Sequence, residues 1–224
     1  IGADFDAVSL KHGWKFLPTT FVSYNGGHQT FDGVGMYQNG GQAGFMGTFS
    51  RKDFIGSVMA YGGGYNNEMN VQGFTDQTGN WFAGTAVKGA YNFHPTRNFI
   101  IQPSVLASYN IFGNQNWHSD FGTLSMNSGF LNGINVAPGL NLIYGRETWS
   151  VYLTTLYMYN INDNVNGRAG SIDLPNVSMR HGWIEYGVGA TKTWKDRLMS
   201  YVQVSVRNGG RTGVAFQLGL TFKF

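Results

Sequence analysis

The sequence contains no cysteine, and only 12% of its 224 residues are charged. The first absence excludes disulfides, thiolate metal sites and a cysteine nucleophile. The second separates the chain from soluble domains, in which about 25% of residues are charged. No segment approaches the roughly 18 consecutive apolar residues of a transmembrane helix. Low charge without such a helix favours strands whose side chains alternate between lipid and a polar interior.

Although charged residues are few, aromatic residues and glycine are abundant. The chain has 16% aromatic residues and 33 glycines but only 5 prolines, a composition that fits membrane strands. Its net charge of +3 comes from Lys and Arg residues that are scattered singly, so no nucleic-acid partner is predicted. No linker or change in composition divides the sequence, and we therefore expect a single domain over residues 1–224.

The last twelve residues alternate without a break, as the two-residue period of a strand requires. Polar or small side chains fall on one face of Gly213–Phe224, and large apolar ones fall on the other. A chain that ends in this way resembles the final strand of a Gram-negative outer-membrane barrel, which carries the assembly signal. The residues predicted to form that signal are Phe216, Leu218, Leu220, Phe222 and Phe224.

The same alternation recurs upstream, interrupted in turn by short and long polar segments. Short turns are predicted at 50–53, 94–97, 145–147 and 195–197, and longer loops near 31–40, 70–79, 113–128, 162–181 and 208–211. This asymmetry is typical of an all-β, antiparallel up-and-down transmembrane β-barrel with periplasmic turns and extracellular loops. Both ends of the barrel chain are then periplasmic, in the cell outer membrane.

The predicted strands number eleven, counting a descending strand at residues 1–10. Single-chain bacterial barrels almost always have an even number of strands, and an open edge would leave backbone groups unsatisfied in lipid. We therefore expect about twelve strands, with the first upstream of Ile1; the alternative is ten, with residues 1–13 outside the barrel. Since the chain has neither an initial Met nor a signal peptide, we expect it to be the C-terminal part of a longer protein.

Several segments together resemble the translocator (β-barrel) domain of bacterial autotransporters. They are Glu185-Tyr-Gly-Val-Gly-Ala-Thr-Lys-Thr-Trp194, Arg207-Asn-Gly-Gly-Arg-Thr-Gly213, the terminal Phe224, Val22-Ser-Tyr-Asn-Gly-Gly-His-Gln-Thr-Phe-Asp-Gly33 and Gln38-Asn-Gly-Gly41. The resemblance implies a twelve-stranded barrel with an α-helical linker through its lumen, which tethers an exported passenger. It also implies the barrel-assembly machinery and outer-membrane lipid as partners. Neither linker nor passenger is readable in this sequence.

Four charged residues are predicted to lie in the lumen or at the pore mouth: Lys88, Glu185, Arg207 and Arg211. They are suited either to bind a linker helix through charge-assisted hydrogen bonds or to pair with other residues of the wall. Five glycines share the predicted lumen face, where they leave room for a helix or permit barrel curvature: Gly84, Gly139, Gly187, Gly189 and Gly219. Interfacial girdle residues are predicted at Trp14, Trp81, Trp149, Trp194, Tyr109, Tyr144, Tyr157 and Tyr159.

No enzymatic chemistry is predicted, and no cofactor. The five histidines lack metal-ligand spacing. Trp117-His-Ser-Asp120 places three catalytic residue types together in a loop, but a triad is built by convergence in space rather than by adjacency. The leading hypothesis is an outer-membrane translocator that anchors and exports an N-terminal passenger (type V secretion). The alternatives are a passive pore or structural anchor and, more weakly, a hydrolase using residues 113–128.

Overall fold

The computed structural model describes residues 2–31, 34–71, 74–113, 116–119, 122–128, 133–146, 148–161, 164–169, 171–173, 177–178, 182–194, 198–210 and 212–222. These residues contain strands and one short 3-10 helix at Lys11–Gly13, with no α-helix among them. The strands, in chain order, are β1 (Gly2–Asp4), β2 (Val8–Ser9), β3 (Lys15–Phe31), β4 (Val34–Arg51), β5 (Phe54–Val71), β6 (Phe74–Tyr91), β7 (Phe93–Thr96), β8 (Phe99–Phe112), β9 (Asn116–Ser119), β10 (Gly122–Ser128), β11 (Gly133–Arg146), β12 (Trp149–Asn160), β13 (Asn164–Ala169), β14 (Ile172–Asp173), β15 (Val177–Ser178), β16 (Gly182–Trp194), β17 (Leu198–Gly209) and β18 (Gly213–Phe222).

The main sheet is antiparallel and follows chain order from one edge to the other. Its eleven-strand path runs β1-β3-β4-β5-β6-β8-β11-β12-β16-β17-β18, and β2 and β7 pair with β3 and β8 beside that path. The sheet is curled into a half-barrel. The predicted all-β, up-and-down antiparallel architecture with eleven readable strands is thereby confirmed.

The two faces of the curled sheet differ as the alternation predicts. Apart from glycines, the buried residues of the described chain all lie on the concave face: Phe82, Ala86, Ala90, Ser104, Ala137, Asn160, Trp183 and Ser205. The convex face carries large exposed apolar groups, which reach 75% exposure at Val214. A water-soluble protein rarely presents so wide an apolar surface, so this face needs an apolar environment.

The final strand pairs with β17 over its full described length, from Leu198 opposite Phe222 to Arg207 opposite Gly213. This pairing is the predicted one. The ten-strand alternative is wrong, because β1 and β2 occupy the edge of β3 that the last strand would need. Within the described residues, β18 has β17 as its one neighbour and β1 forms the opposite edge of the sheet.

Two predicted loops are wrong, because their residues continue the strands. The segments near 31–40 and 70–79 belong to long hairpins, in which β3 pairs with β4 as far as Phe31–Val34 and β5 pairs with β6 as far as Val71–Phe74. These segments are rich in Gly, Asn, Gln and Thr, so their composition does not distinguish them from loops. Main-chain pairing needs no apolar face where both sides of a hairpin meet water.

The two longest predicted loops, 113–128 and 162–181, also contain strands. They form a second sheet of order β14-β13-β10-β9, with β15 also paired to β13. The two segments meet through β10 and β13, where Leu124 lies opposite Ala169 and Ser128 lies opposite Val165. The pairing joins chain segments about forty residues apart, and no local sequence signal specifies such a partner.

Candidate functional site

The convex face of the main sheet is a continuous apolar band between its two ends. By register, three basic residues share this face near the end formed by the short turns: Arg51, opposite Phe54, and Arg146 and Lys192, both opposite Trp149. The Nζ atom of Lys192 lies 5.6 Å from the centre of the Trp194 ring. A lysine at that level covers apolar surface with its stem and keeps its charge toward water.

The predicted girdle residues lie in two rows, one at each end of the band. Trp149 and Tyr159 are ten residues apart on β12, a separation of about 33 Å along a strand. A strand tilt of 35–45° reduces this to about 25 Å of height, which is the apolar thickness of an outer-membrane barrel. Tyr144 and Trp149 contact each other edge-on at 6.0 Å within one row.

The proposed assembly-signal residues extend this band to the edge of the sheet. Phe216, Leu218 and Leu220 lie on the convex face of β18 with 62%, 70% and 67% exposure. The side chain of Phe222 and all of Phe224 lie outside the described residues. Recognition of this strand by an assembly machinery stays a prediction.

Two of the four predicted lumen charges meet on the concave face. Glu185 on β16 lies opposite Arg207 on β17, and Arg207 donates from Nε to Glu185 Oε2 at 2.6 Å. Ser205, which is 1% exposed, donates from Oγ to Glu185 Oε1 at 2.9 Å. Both carboxylate oxygens thus accept bonds from the wall, which favours the wall-pairing alternative for these two residues.

The other two predicted charges do not join that cluster. Lys88 lies on the concave face of β6, opposite Ser57 and Leu106, and it is exposed with no acidic partner among the residues described. Arg211 lies outside the described residues. Their roles at a pore mouth remain predictions.

Hydrogen bonds between neutral side chains cross-link the concave wall, and sequence reasoning did not find them. Asn141 donates to Gln102 Oε1 and Gln102 donates to Asn92 Oδ1, both at 2.8 Å. Tyr152 donates to Gln203 Oε1 at 3.0 Å. The polar inward positions were visible in the sequence, but their partners depend on strand register. These bonds satisfy the wall groups and leave its surface polar.

The concave glycines face tyrosine rings rather than open space. A Cβ atom on Gly84 would lie 2.6 Å from Cζ of Tyr61 on the paired strand, and Tyr61 donates a hydrogen bond to Asn110. The rings of Tyr152 and Tyr201 cover Gly189 and Gly219 in the same way. The sequence suggested that these glycines leave room for a helix or permit curvature. Neither explanation accounts for a tyrosine ring packed this close to the glycine.

The other two of the five glycines have no tyrosine ring among their nearest atoms. A Cβ atom on Gly187 would meet the main chain and Cβ of Ser205 at 3.0 and 2.9 Å, and one on Gly139 would meet Leu156 at 3.1 Å. These positions are narrow because neighbouring strands approach closely there. A larger residue would therefore have to displace a ring or a neighbouring strand at these positions.

Among the described residues no group of three His, Asp or Glu side chains is placed to hold a metal ion. His118 and Ser119 are adjacent in β9, opposite Thr123 and Gly122 of β10, and neighbours in a strand point to opposite faces. The side chains of this segment and all of Asp120 lie outside the described residues.

No long apolar helix suited to crossing a membrane occurs in the described residues. No protein-family model matches the sequence, and no curated protein matches it. Solved structures do match. The transport unit of the autotransporter AIDA-I from Escherichia coli superposes with a TM-score of 0.83 at 15% identity, covering 100% of this chain and 80% of that one.

The chain has the fold of an autotransporter translocator domain. The beta domain of the Bordetella autotransporter BrkA matches as well, with a TM-score of 0.72, 14% identity and coverage of 100% of this chain and 88% of that one. At these identities the likeness establishes the fold.

Proposed function

We propose that this chain is the outer-membrane translocator of a type V secretion protein, which anchors and exports a passenger encoded upstream. The observation that carries the proposal is that the translocator likeness extends over the entire chain at a TM-score of 0.83. An apolar convex band about 25 Å tall and a concave face on which cross-strand hydrogen bonds join polar side chains support it. A polar wall is what a lumen needs if it holds a linker segment.

The proposed barrel closes through a strand upstream of residue 1. That strand lies between the two edges of the main sheet, β1 and β18, and satisfies their free main-chain groups. An open edge in hydrocarbon would cost several kcal/mol for each unsatisfied group. The linker helix then follows the lumen, where exposed Lys88 is available for an acidic partner on it.

The proposed orientation places the short turns in the periplasm and the second sheet, β9, β10 and β13 to β15, at the cell surface. Bacterial outer-membrane barrels have short periplasmic turns and longer extracellular segments. The barrel-assembly machinery recognises the final strand, and outer-membrane lipid surrounds the convex face. The function requires no cofactor, enzymatic activity or nucleic acid.

Surface display of the upstream segment tests the export function. We expect an epitope placed upstream of residue 1 in the full-length protein to be accessible to antibody on intact cells and to be removed by added protease. A truncated variant lacking β17 and β18 should lose display, because the sheet then lacks its closing strand. An epitope that stays inside cells while the barrel itself is folded in the outer membrane would contradict export and favour the passive pore or anchor.

A further inference from the structure

An apolar groove of about 390 Å³ lies on the convex face near the short-turn end. Its floor is the paired glycines Gly56 and Gly89, which place no side chain between the neighbouring strands. A Cβ atom built on Gly89 meets nothing within 4 Å. The walls are large apolar side chains, most of them exposed: Trp14, Phe49, Phe54, Val58 and Val87.

One end of the groove is cationic. Trp14 contacts the Phe54 ring edge-on at 5.9 Å, and the guanidinium carbon of Arg51 lies 5.9 Å from the Trp14 ring. The nearby carboxylate of Asp53 contacts His94 instead, with 3.2 Å between Oδ1 of Asp53 and Nε2 of His94. Arg51 consequently has no acidic partner among the residues that the structure describes.

Basic residues outnumber acidic ones at the short-turn end of the sheet. Residues 11–15 and 50–54, which flank the groove, contain Lys11, Lys15, Arg51 and Lys52 against Asp53, and together with 93–99, 144–150 and 192–200 these ranges contain nine Lys or Arg residues and three Asp or Glu residues. A phosphate is attracted to such a surface, and each Lys or Arg near a membrane surface contributes about 1 kcal/mol to binding an anionic lipid.

We propose that this groove is a binding site for one anionic phospholipid. An acyl chain lies on the Gly56–Gly89 floor between the aromatic and valine walls, and the headgroup phosphate binds the Arg51 guanidinium beside Trp14. Guanidinium groups bind phosphate oxygens in a bidentate manner, and tryptophan is suited to the level where apolar chains meet headgroups. The site rests on the proposed outer-membrane location, and it deepens the lipid partnership of that proposal.

The test uses native mass spectrometry of the full-length protein in mild detergent with added phosphatidylglycerol or phosphatidylcholine. We expect one retained phosphatidylglycerol and a clear preference for it over phosphatidylcholine. Gly89→Leu fills the groove and should abolish retention of that lipid. Arg51→Gln should lower phosphatidylglycerol affinity about five-fold and remove the headgroup preference.

Two matched variants control for general effects. Gly62→Leu places the same side chain on the same face of the paired strand β5, where a Cβ atom has ordinary contacts of 3.4 Å and longer, and it should retain the lipid. Arg97→Gln removes an exposed charge from the same end of the sheet, outside the groove, and should keep the preference. Retention by Gly89→Leu, or an equal loss in Arg97→Gln and Arg51→Gln, would overturn the site.

The lipid result and the export result are separable. Heat-modifiable migration on gels shows that each variant is folded, and epitope display on cells measures export in the same variants. If the epitope is displayed but Gly89→Leu retains the lipid, the lipid site is rejected and the export function is not. If the folded protein retains the lipid in a groove-dependent manner but displays no epitope on cells, the export function is rejected and the lipid site is not.

Discussion

Replacing Leu218 with Arg is expected to destabilise the folded barrel by about 2–4 kcal/mol if the residue lies near the middle of the bilayer. Leu218 is 70% exposed on the convex face of β18, where we place lipid. A guanidinium there loses its hydration unless the strand shifts or the bilayer thins. Urea-dependent unfolding in lipid vesicles, followed by tryptophan fluorescence, measures the loss.

The neighbouring residue Gln217 provides the control for Leu218→Arg. Gln217 lies opposite Gln203 on the other face of the same strand, so Gln217→Arg directs its charge toward the polar lumen. We expect the cost of that variant to be much smaller. Equal losses in the two variants would show that the two faces do not have different surroundings, and the membrane assignment of the convex face would be wrong.

Replacing Gly84 with Val is expected to cost about 1–3 kcal/mol from overpacking, because a Cβ atom would lie 2.6 Å from the Tyr61 ring. Movement of that ring also breaks its hydrogen bond to Asn110, for about 0.5–1.5 kcal/mol more. The same urea titration measures the total. The expected consequence in cells is less folded protein in the outer membrane.

A double variant shows whether the ring causes that loss. Tyr61→Ser removes the ring, so adding it to Gly84→Val should cost less than the sum of the two single changes. Gly62→Val is the control on the paired strand β5, because a Cβ atom there has ordinary contacts of 3.4 Å and longer. If Gly84→Val is no more destabilising than Gly62→Val, the packing of the ring against glycine does not stabilise this wall.

The faces of the strands could be predicted from the sequence because lipid and lumen impose a strict period of two. Val214 and Leu218 fall on the convex face and Gln217 falls on the concave face, as the alternation predicts. The edge position of the last strand was also predictable, since an even-numbered barrel places its first strand, the second neighbour of the last, upstream of Ile1.

Pairing details could not be predicted in the same way. That Tyr61 covers Gly84, or that Ser205 and Arg207 share Glu185, follows from the registers of neighbouring strands. Alternation fixes which face a residue occupies but leaves its cross-strand partner undetermined. The glycines were therefore assigned to a face correctly, and the rings beside them were missed.

The polar hairpin ends and the second sheet were missed for a different reason. Asn39 on β4 pairs with Asn66 on β5, yet segments rich in Asn, Gln and Gly have the composition of loops. Asp32-Gly33 is a dipeptide that favours a two-residue hairpin turn, and this signal could have shortened the predicted 31–40 loop. The pairing of β10 with β13 had no comparable local signal.

The central claim is that the chain crosses the outer membrane with its short turns and its second sheet on opposite sides. Because the chain has no cysteine, single substitutions can report the position of each end. Ile172→Cys lies in the second sheet, where Ile172 is 68% exposed, and Arg97→Cys lies in an exposed short turn.

Intact cells are treated with a polymer-linked maleimide too large to cross the outer membrane, and the protein is compared with its cysteine-free parent. We expect Ile172→Cys to be labelled on intact cells and Arg97→Cys to be labelled only after lysis. Labelling of Arg97→Cys on intact cells, with Ile172→Cys protected until lysis, would contradict the orientation. Labelling of both positions on intact cells would contradict the membrane-spanning barrel itself.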